Sequence, residues 1–257
     1  MTDRTTGRSM LTKGFTLVEI LIAMAVASLL VVSLLSIVSG SMDVSKKANA
    51  VMFSKSSAQA ALDLIVTDIE SLVVSRNAGE VLQMANGELA NSKLTLLTTS
   101  MVDSYSTDGS GSPGMPRVVQ YVIKYDTTDA SSSKKSFGIY RNVLDSTNTF
   151  SFGIGTSLPV PTHSKANLLV PNVVRMNVNL YTNYGGGIWY NGGAAATNIT
   201  STNFPPGVVA EVALTVLDEP YIERFGDGTG PGNNSSTNLI KQYGRTLIRR
   251  VSLPSPL

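Results

Sequence analysis

The sequence predicts an α+β protein: one long N-terminal helix, apolar at its start and amphipathic further on, packed against an antiparallel β-sheet. Three observations predict it. Ile20 to Val38, ILIAMAVASLLVVSLLSIV, holds nineteen residues without a charge, a length that suits a membrane-crossing helix. Downstream, Leu62, Ile65, Val66, Ile69, Leu72 and Val73 recur at helical spacing. Beyond Gly79 the pattern turns to alternation, as in Val119, Tyr121, Ile123 and Tyr125.

At the N-terminus, Arg4, Arg8 and Lys13 stand against a single acid, Asp3, and a positive flank of this kind stays on the cytoplasmic side of a membrane. From Phe15 to Val38 the only charge is Glu19. At about 1.5 Å per residue this stretch covers roughly 36 Å, enough for a hydrocarbon core of about 30 Å. Ser28, Ser33 and Ser36 can bond back to the preceding turn. A cleaved secretory signal would have a shorter apolar region ending at small residues. An uncleaved signal anchor fits the hydropathy equally well, and Glu19 is what distinguishes the readings. A carboxylate in an apolar helix costs roughly 2.5–3.5 kcal/mol at mid-membrane and less near an interface. It therefore has a partner or a task, the plain alternative being a side chain that snorkels to the interface.

No proline occurs before Pro113, and Gly40 is the only glycine between Gly14 and Gly79. One helix is therefore expected from about Thr16 to about Arg76, roughly 90 Å at the helical rise. Asp63, Thr67, Asp68 and Glu70 are expected to face away from its apolar stripe, with Arg76 as a basic last turn and Gly79 as the stop. The clearest strands are Val119–Tyr125, Val174–Leu180 and Val208–Val216; weaker ones are Val81–Met84, Lys93–Thr98, Phe137–Leu144 and Thr246–Leu253, with Asn86-Gly87 as a hairpin-type turn. Ser104–Gly114, Thr182–Pro206 and Gly226–Asn238 read as surface loops. No internal repeat is present. The organisation is thus 1–14, a basic leader; 15–38, a transmembrane helix; 39–78, its amphipathic continuation; and 79–257, a β-rich globular domain.

The 257 residues, 42% of them hydrophobic, suffice for a real core, and 20 basic against 18 acidic residues leave a net charge of only +2. No global field draws the chain to nucleic acid. With no cysteine and a single histidine, His163, a disulfide, a Cys/His zinc site and a Cys–His nucleophile pair are all excluded. The run Gly226-Asp227-Gly228-Thr229-Gly230-Pro231-Gly232 has the spacing of neither a P-loop nor an EF-hand and reads as a flexible loop. Asp126, Asp129 and Asp145 form no dense acidic cluster, so no metal and no cofactor are assigned. His163, beside Pro159 and Pro161, reads as a solvated loop histidine with no nameable partner. No Gly-x-Ser-x-Gly elbow occurs, and no catalytic residue is assigned. Arg245, Arg249 and Arg250, near Tyr243, suit either a basic aromatic patch for DNA or the solvated face of a strand, and the strand face is the simpler account. Trp189 and Tyr190 suit a binding platform or, more simply, a partly buried anchor.

Lys13-Gly14-Phe15-Thr16-Leu17-Val18-Glu19, KGFTLVE, resembles the class III signal of the type IV pilins and type II secretion pseudopilins. The resemblance implies that a prepilin peptidase of the inner membrane cuts between Gly14 and Phe15 and N-methylates Phe15, with Arg4, Arg8 and Lys13 as the leader charge. Glycine before the bond presents backbone without side-chain bulk, and the cut creates a cationic amine on Phe15. In this family the acid corresponding to Glu19 is held to meet the N-terminus of a neighbouring subunit during assembly. The implied place is the bacterial inner membrane, single-pass, with a cytoplasmic N-terminus and a C-terminal domain in the periplasm or on an extracellular filament. The implied partners are the peptidase, other pilin or pseudopilin subunits along the helix, and membrane lipid. No small-molecule substrate and no nucleic acid are expected.

The long helix under an antiparallel sheet also resembles the pilin fold. The order Arg117–Tyr125, Gly138–Arg141, Leu169–Tyr181 with Ile188-Trp189-Tyr190, Pro205–Leu217 and Leu247–Leu253 resembles minor pseudopilins of the J type. The Verru_Chthon cassette C proteins are a competing assignment. Ser36 stands where major pilins commonly carry proline, which together with the large C-terminal region implies a minor subunit. The expected function is a structural, non-enzymatic subunit at or near the tip of a type II secretion pseudopilus or type IV pilus-like filament. The alternatives are an adhesive or DNA-binding minor pilin and, after it, a membrane-anchored enzyme.

Overall fold

The computed structural model describes residues 15–74, 79–86, 92–99, 116–127, 135–144, 149, 157–182, 188–191, 197–200, 207–218, 221–222 and 234–254. The chain divides into two compact units, Met1–Asn49 and Ala50–Leu257. Helix α1, Leu17–Glu70, contributes to both. In the first unit every described residue is exposed. In the second, Ala58, Ala61, Leu62, Ile65 and Ile69 of the same helix are buried in the main core.

Among the described residues ten strands follow: β1 Glu80–Ala85, β2 Lys93–Thr98, β3 Arg117–Thr127, β4 Lys135–Leu144, β5 Leu168–Pro171, β6 Val173–Thr182, β7 Ile188–Asn191, β8 Thr197–Thr200, β9 Val208–Val216 and β10 Arg245–Ser252. A second helix, α2, spans Asn234–Tyr243. All pairings are antiparallel. One sheet has the order β5-β4-β3-β2-β1-β8 and the other β10-β9-β6-β7. The inward residues of both sheets and the α1 stripe form a single core, so the long apolar helix of this fold ends on an antiparallel β domain. Period-two burial is plain in β6 and β9, as expected of strands with one covered face.

The anticipated strands are all present: β2 and β9 have the expected bounds, β10 is shifted by one residue, and β1, β3, β4 and β6 extend by one or two residues at one or both ends. Two expected loops contain structure: β7 and β8 lie within 182–206, and α2 begins inside 226–238. These elements are short, and their partners are remote. β8 lies along the edge of β1 with Ile199 opposite Leu82. The side chains of Leu239, Ile240 and Tyr243 rest on the core, Tyr243 stacks on Tyr221 at 3.9 Å, and Gly244 closes α2 by donating its N–H to the Ile240 carbonyl at 2.8 Å. Local sequence carries little of such a signal. The expected loop 104–114 lies outside the described residues.

The helix also stops earlier than its periodicity predicts. After Glu70, the Leu72 N–H donates to the Ile69 carbonyl three residues back, at 3.1 Å, and the Val73 N–H donates to the Leu97 carbonyl at 2.9 Å. Leu72 forms a bridge with Thr98. The apolar spacing continues through Leu72 and Val73, but those backbones are captured by β2, and the β-branched Val73-Val74 pair suits an extended chain better than a helix. Arg76 lies outside the described residues. Gly79, expected as the helix stop, instead leads into β1 at φ 68°, a conformation that glycine adopts without a Cβ penalty.

Two asparagines join the sheets. Asn172, at φ 66°, turns the chain from β5 in one sheet to β6 in the other; its N–H donates to the Phe137 carbonyl at 2.6 Å and its carbonyl accepts from the Leu217 N–H at 3.0 Å. Asparagine tolerates this left-handed corner better than most residues. Asn86, expected in a hairpin-type turn with Gly87, directly follows β1, and Gly87 lies outside the described residues. β1 and β2 do form a hairpin, but its last pair is Ala85 with Lys93, and the Asn86 side chain donates to the Val178 carbonyl at 2.7 Å and accepts from the Val178 N–H at 2.8 Å. Its amide thus acts as one peptide rung for β6.

The joint between α1 and the six-stranded sheet is polar. Tyr121 and Arg141 sit opposite each other on β3 and β4, and both reach Asp68, which is fully buried. Asp68 Oδ2 accepts from Tyr121 Oη at 2.5 Å, Arg141 Nε at 3.0 Å and Arg141 Nη2 at 2.9 Å, while Oδ1 has no hydrogen-bond partner. Burial, reinforced by the neighbouring Asp68 carboxylate, holds the Tyr121 hydroxyl well above its usual range, so it stays a donor. Asp68 was expected on the polar face of the helix. It lies instead three residues after Ile65 and seven after Ala61, on the buried stripe, and the Arg141 guanidinium compensates its charge there.

A second buried acid, Glu80 at the start of β1, accepts the Leu158 N–H on Oε2 at 2.9 Å. Burial raises its pKa above the usual 4.5, against the lowering effects of the Leu158 hydrogen bond and of Lys93.

Two outcomes follow for stability. Arg141→Ala strands the Asp68 charge in the core and should cost about 3–5 kcal/mol in urea unfolding, whereas a surface arginine should cost under about 1 kcal/mol. For Glu80, the folded state holds its proton above the pH at which the unfolded chain releases it. Its contribution to stability is therefore greatest below pH 4.5 and falls as pH rises through the raised pKa. Glu80→Gln should match the parent in acid and gain on it as pH increases, read from denaturation midpoints across that range.

Candidate functional site

The first turn of α1 is closed by its own side chains. Thr16 is the residue before the helix, and Glu19 is its third helical residue. The Thr16 N–H and Oγ1 both donate to Glu19 Oε2, at 3.0 and 3.1 Å, while the Glu19 N–H donates back to Thr16 Oγ1 at 3.3 Å. This reciprocal arrangement is a capping box, which satisfies amide donors that a helix start leaves free. Both carboxylate bonds fall on Oε2, so Oε1 takes part in neither. The Thr-x-x-Glu spacing carries this signal in the sequence; reading Glu19 only as an acid within an apolar run misses its local task.

From this cap the helix is apolar and uncovered. Phe15 is 82% exposed, and Leu17, Val18, Ile20, Leu21 and Ile22 beside Glu19 are all exposed as well. Ser28 Oγ donates to the Ala25 carbonyl at 2.8 Å, which satisfies that hydroxyl without water. The helix is long and apolar enough to cross a membrane, and none of its most apolar stretch is buried within the chain. A core helix of a water-soluble domain would be covered. Gly14 and the leader charges Arg4, Arg8 and Lys13 lie outside the described residues, so the geometry of the proposed cut is not described, whereas Phe15 and Glu19 lie within it.

Residues 10–40 match the prokaryotic N-terminal methylation motif. That match spans the Gly14-Phe15 bond, the capping box and the apolar run through Gly40, and it supports the pilin and pseudopilin superfamily. No curated protein matches the chain. Among solved structures, a type IV-like pilin from Thermus thermophilus aligns at 13% identity over 78% of this chain and 95% of that one, with a TM-score of 0.41.

The remaining candidates disperse. His163 is not a free loop histidine: its Nε2 lies 3.6 Å from Asp126 Oδ2, both groups half-buried, and its ring meets Tyr140 edge-on at 4.6 Å. Asp126 also pairs with Lys165 at 3.1 Å. The C-terminal arginines lie on an edge strand, each beside an acid: Arg245 with Asp218 at 3.5 Å, Arg249 with Asp63 at 3.4 Å and Arg250 with Glu211 at 2.7 Å. Three paired guanidinium groups make a poor phosphate-binding surface. Asp129, Asp145, residues 226–232 and the side chains of Trp189 and Tyr190 lie outside the described residues. Among the described residues no three His, Cys, Asp or Glu side chains converge as a metal site would require. A cleft of about 240 Å³ in the second unit, lined by Val51, Ser54, Lys55, Val216, Asp218, Arg245 and Leu247, offers mixed charges without histidine or cysteine.

Proposed function

We propose that this chain is a structural, non-enzymatic pilin-like subunit. A prepilin peptidase cuts it between Gly14 and Phe15 and methylates the new terminus. Residues 15–38 then hold it in the inner membrane, and the β-rich domain lies on the periplasmic side or on an extracellular filament. The observation that carries this reading is an apolar helix, uncovered among the described residues, that begins at Leu17, just after the Gly14-Phe15 bond, inside a match to the N-terminal methylation motif.

The chemistry of the helix start supports the same reading. After the cut, a cationic amine would sit one residue before the N-cap, next to the positive end of the helix dipole. Two like charges at a lipid interface need a counter-ion, and Glu19 is the one acid in the helix before Asp43. Its own cap engages Oε2, so Oε1 is the atom for the amine of an adjoining subunit. Pairing the groups across two helices offsets two desolvation costs together.

The finer role follows from size and pattern. The large β region and Ser36 in place of a helix-kinking proline favour a minor subunit placed towards a filament tip, of the J type of pseudopilins or of the Verru_Chthon cassette C group. A DNA-binding role is the weaker reading, because Arg245, Arg249 and Arg250 each lie beside a carboxylate.

Mass spectrometry of the protein from its native membrane should find a chain starting at N-methylated Phe15; a chain starting at Met1 would refute the processing step. Glu19→Val should leave membrane insertion intact and sharply reduce recovery of the protein in assembled filaments, as measured by shearing and sedimentation. Normal assembly of that variant would remove Glu19 from the mechanism.

A further inference from the structure

Between Phe15 and Asn49 the charged side chains are Glu19, Asp43, Lys46 and Lys47. All four are exposed, and Asp43, Lys46 and Lys47 form no ion pair among the described residues. Their spacing is regular. Glu19 lies four residues after Phe15, and Lys47 four after Asp43. Phe15 to Asp43 and Glu19 to Lys47 are each twenty-eight residues apart, or four heptads.

Heptad spacing has a physical meaning for two parallel helices. A straight helix drifts about 20° per heptad, and a gentle left-handed crossing removes that drift, so positions seven apart stay on one seam. One row of such a seam runs Phe15, Ile22, Leu29, Ser36, Asp43; the other runs Glu19, Val26, Ser33, Gly40, Lys47. Small residues therefore fall on the seam in its later half. Gly40 is helical, and a Cβ added there would meet nothing within 4 Å, so no packing within the chain accounts for a residue that costs a helix about 1 kcal/mol relative to alanine. Close approach of another helix accounts for it, since small residues line contacts between membrane helices.

We propose that the apolar helix packs in parallel against a second copy of this chain, displaced by four residues or about 6 Å, with Lys47 of one copy paired to Asp43 of the other. This rests on the reading above, in which Glu19 meets the Phe15 amine of its neighbour. The shift that brings Glu19 level with that amine also brings Lys47 level with Asp43, Gly40 with Ser36, Ser33 with Leu29 and Val26 with Ile22. The two ion pairs have opposite polarity. Glu19 supplies the acid at one end of the seam and Lys47 the base at the other, and the same four-residue shift serves both. An unshifted pair would place Asp43 against Asp43. The stagger is thus selected by charge as well as by side-chain size.

The chain has no cysteine, which allows a direct test in the native membrane. A Ser36→Cys copy and a Gly40→Cys copy, carrying different epitope tags, are produced together and oxidised. The mixed disulfide dimer should exceed either like-with-like dimer several-fold. Lys47→Asp should remove that excess, Lys47→Asp combined with Asp43→Lys should restore it, and Lys46→Asp, off the seam, should leave it unchanged. Equal yields of mixed and like dimers, no mixed dimer at all, or indifference to Lys47→Asp would overturn the register. The start of the same chains separates the two levels of failure. A start at Phe15 without the mixed dimer refutes only the pairing of two copies, while a start at Met1 refutes the subunit reading along with it.

Discussion

Eighteen large apolar side chains from Phe15 to Val44, at and along the start of one helix, stand exposed, and none of the described residues covers them. At roughly 1.5–3 kcal/mol for each such side chain left in water, the penalty reaches several tens of kcal/mol, well above the 5–15 kcal/mol that holds a typical domain together. Lipid or other helices must supply the missing environment. The capping box at Thr16 and Glu19, the back-bonded Ser28 and the uncharged run between Glu19 and Asp43 are all features of a helix that must satisfy its polar groups without water.

The helix carries carboxylates in three different surroundings, and each sets a different role. Glu19 is bonded within its own first turn through Oε2 alone. Asp63 is exposed and lies beside Arg249 on an edge strand, an arrangement worth little to stability. Asp68 is fully buried and depends on Tyr121 and Arg141. Among these, only Asp68 ties the helix to the six-stranded sheet by a charge that cannot be left unpaired. The same helix therefore has one end made for an apolar environment and another fastened to its own β domain by a desolvated ion pair.

The β domain shows how a modest core can stay in register without a disulfide. Asn172 turns the chain between the sheets and shares its backbone with both, and Asn86 lends a side-chain amide to β6 as a substitute rung. Asn172 works through its backbone, in a left-handed conformation that asparagine tolerates, and Asn86 through its side-chain amide, which carries the donor and acceptor of a peptide group. The arginines of β10 serve a related end. Charged groups along an edge strand discourage pairing with a further strand.

Features that depend on near neighbours in the chain were legible in the sequence alone: the membrane-length apolar run, the helical stripe from Leu62 to Ile69 and the alternating strands. Each is a matter of periodicity, which the backbone geometry of helix and strand imposes over a few residues. The KGFTLVE segment is equally local, and its Thr-x-x-Glu cap could have been read there too. What only the tertiary structure decided depends on partners far along the chain. Asp68 meets Tyr121 and Arg141 across 53 and 73 residues, and a carboxylate on an apolar stripe looks misplaced until those donors arrive. The helix ended at Glu70 because β2 and Thr99, just after it, engaged the backbones of Ser71 and Val73, while the Asn86 side chain found Val178 and His163 found Asp126. Spacing along the chain shows which way a side chain points, but only folding shows what waits for it there.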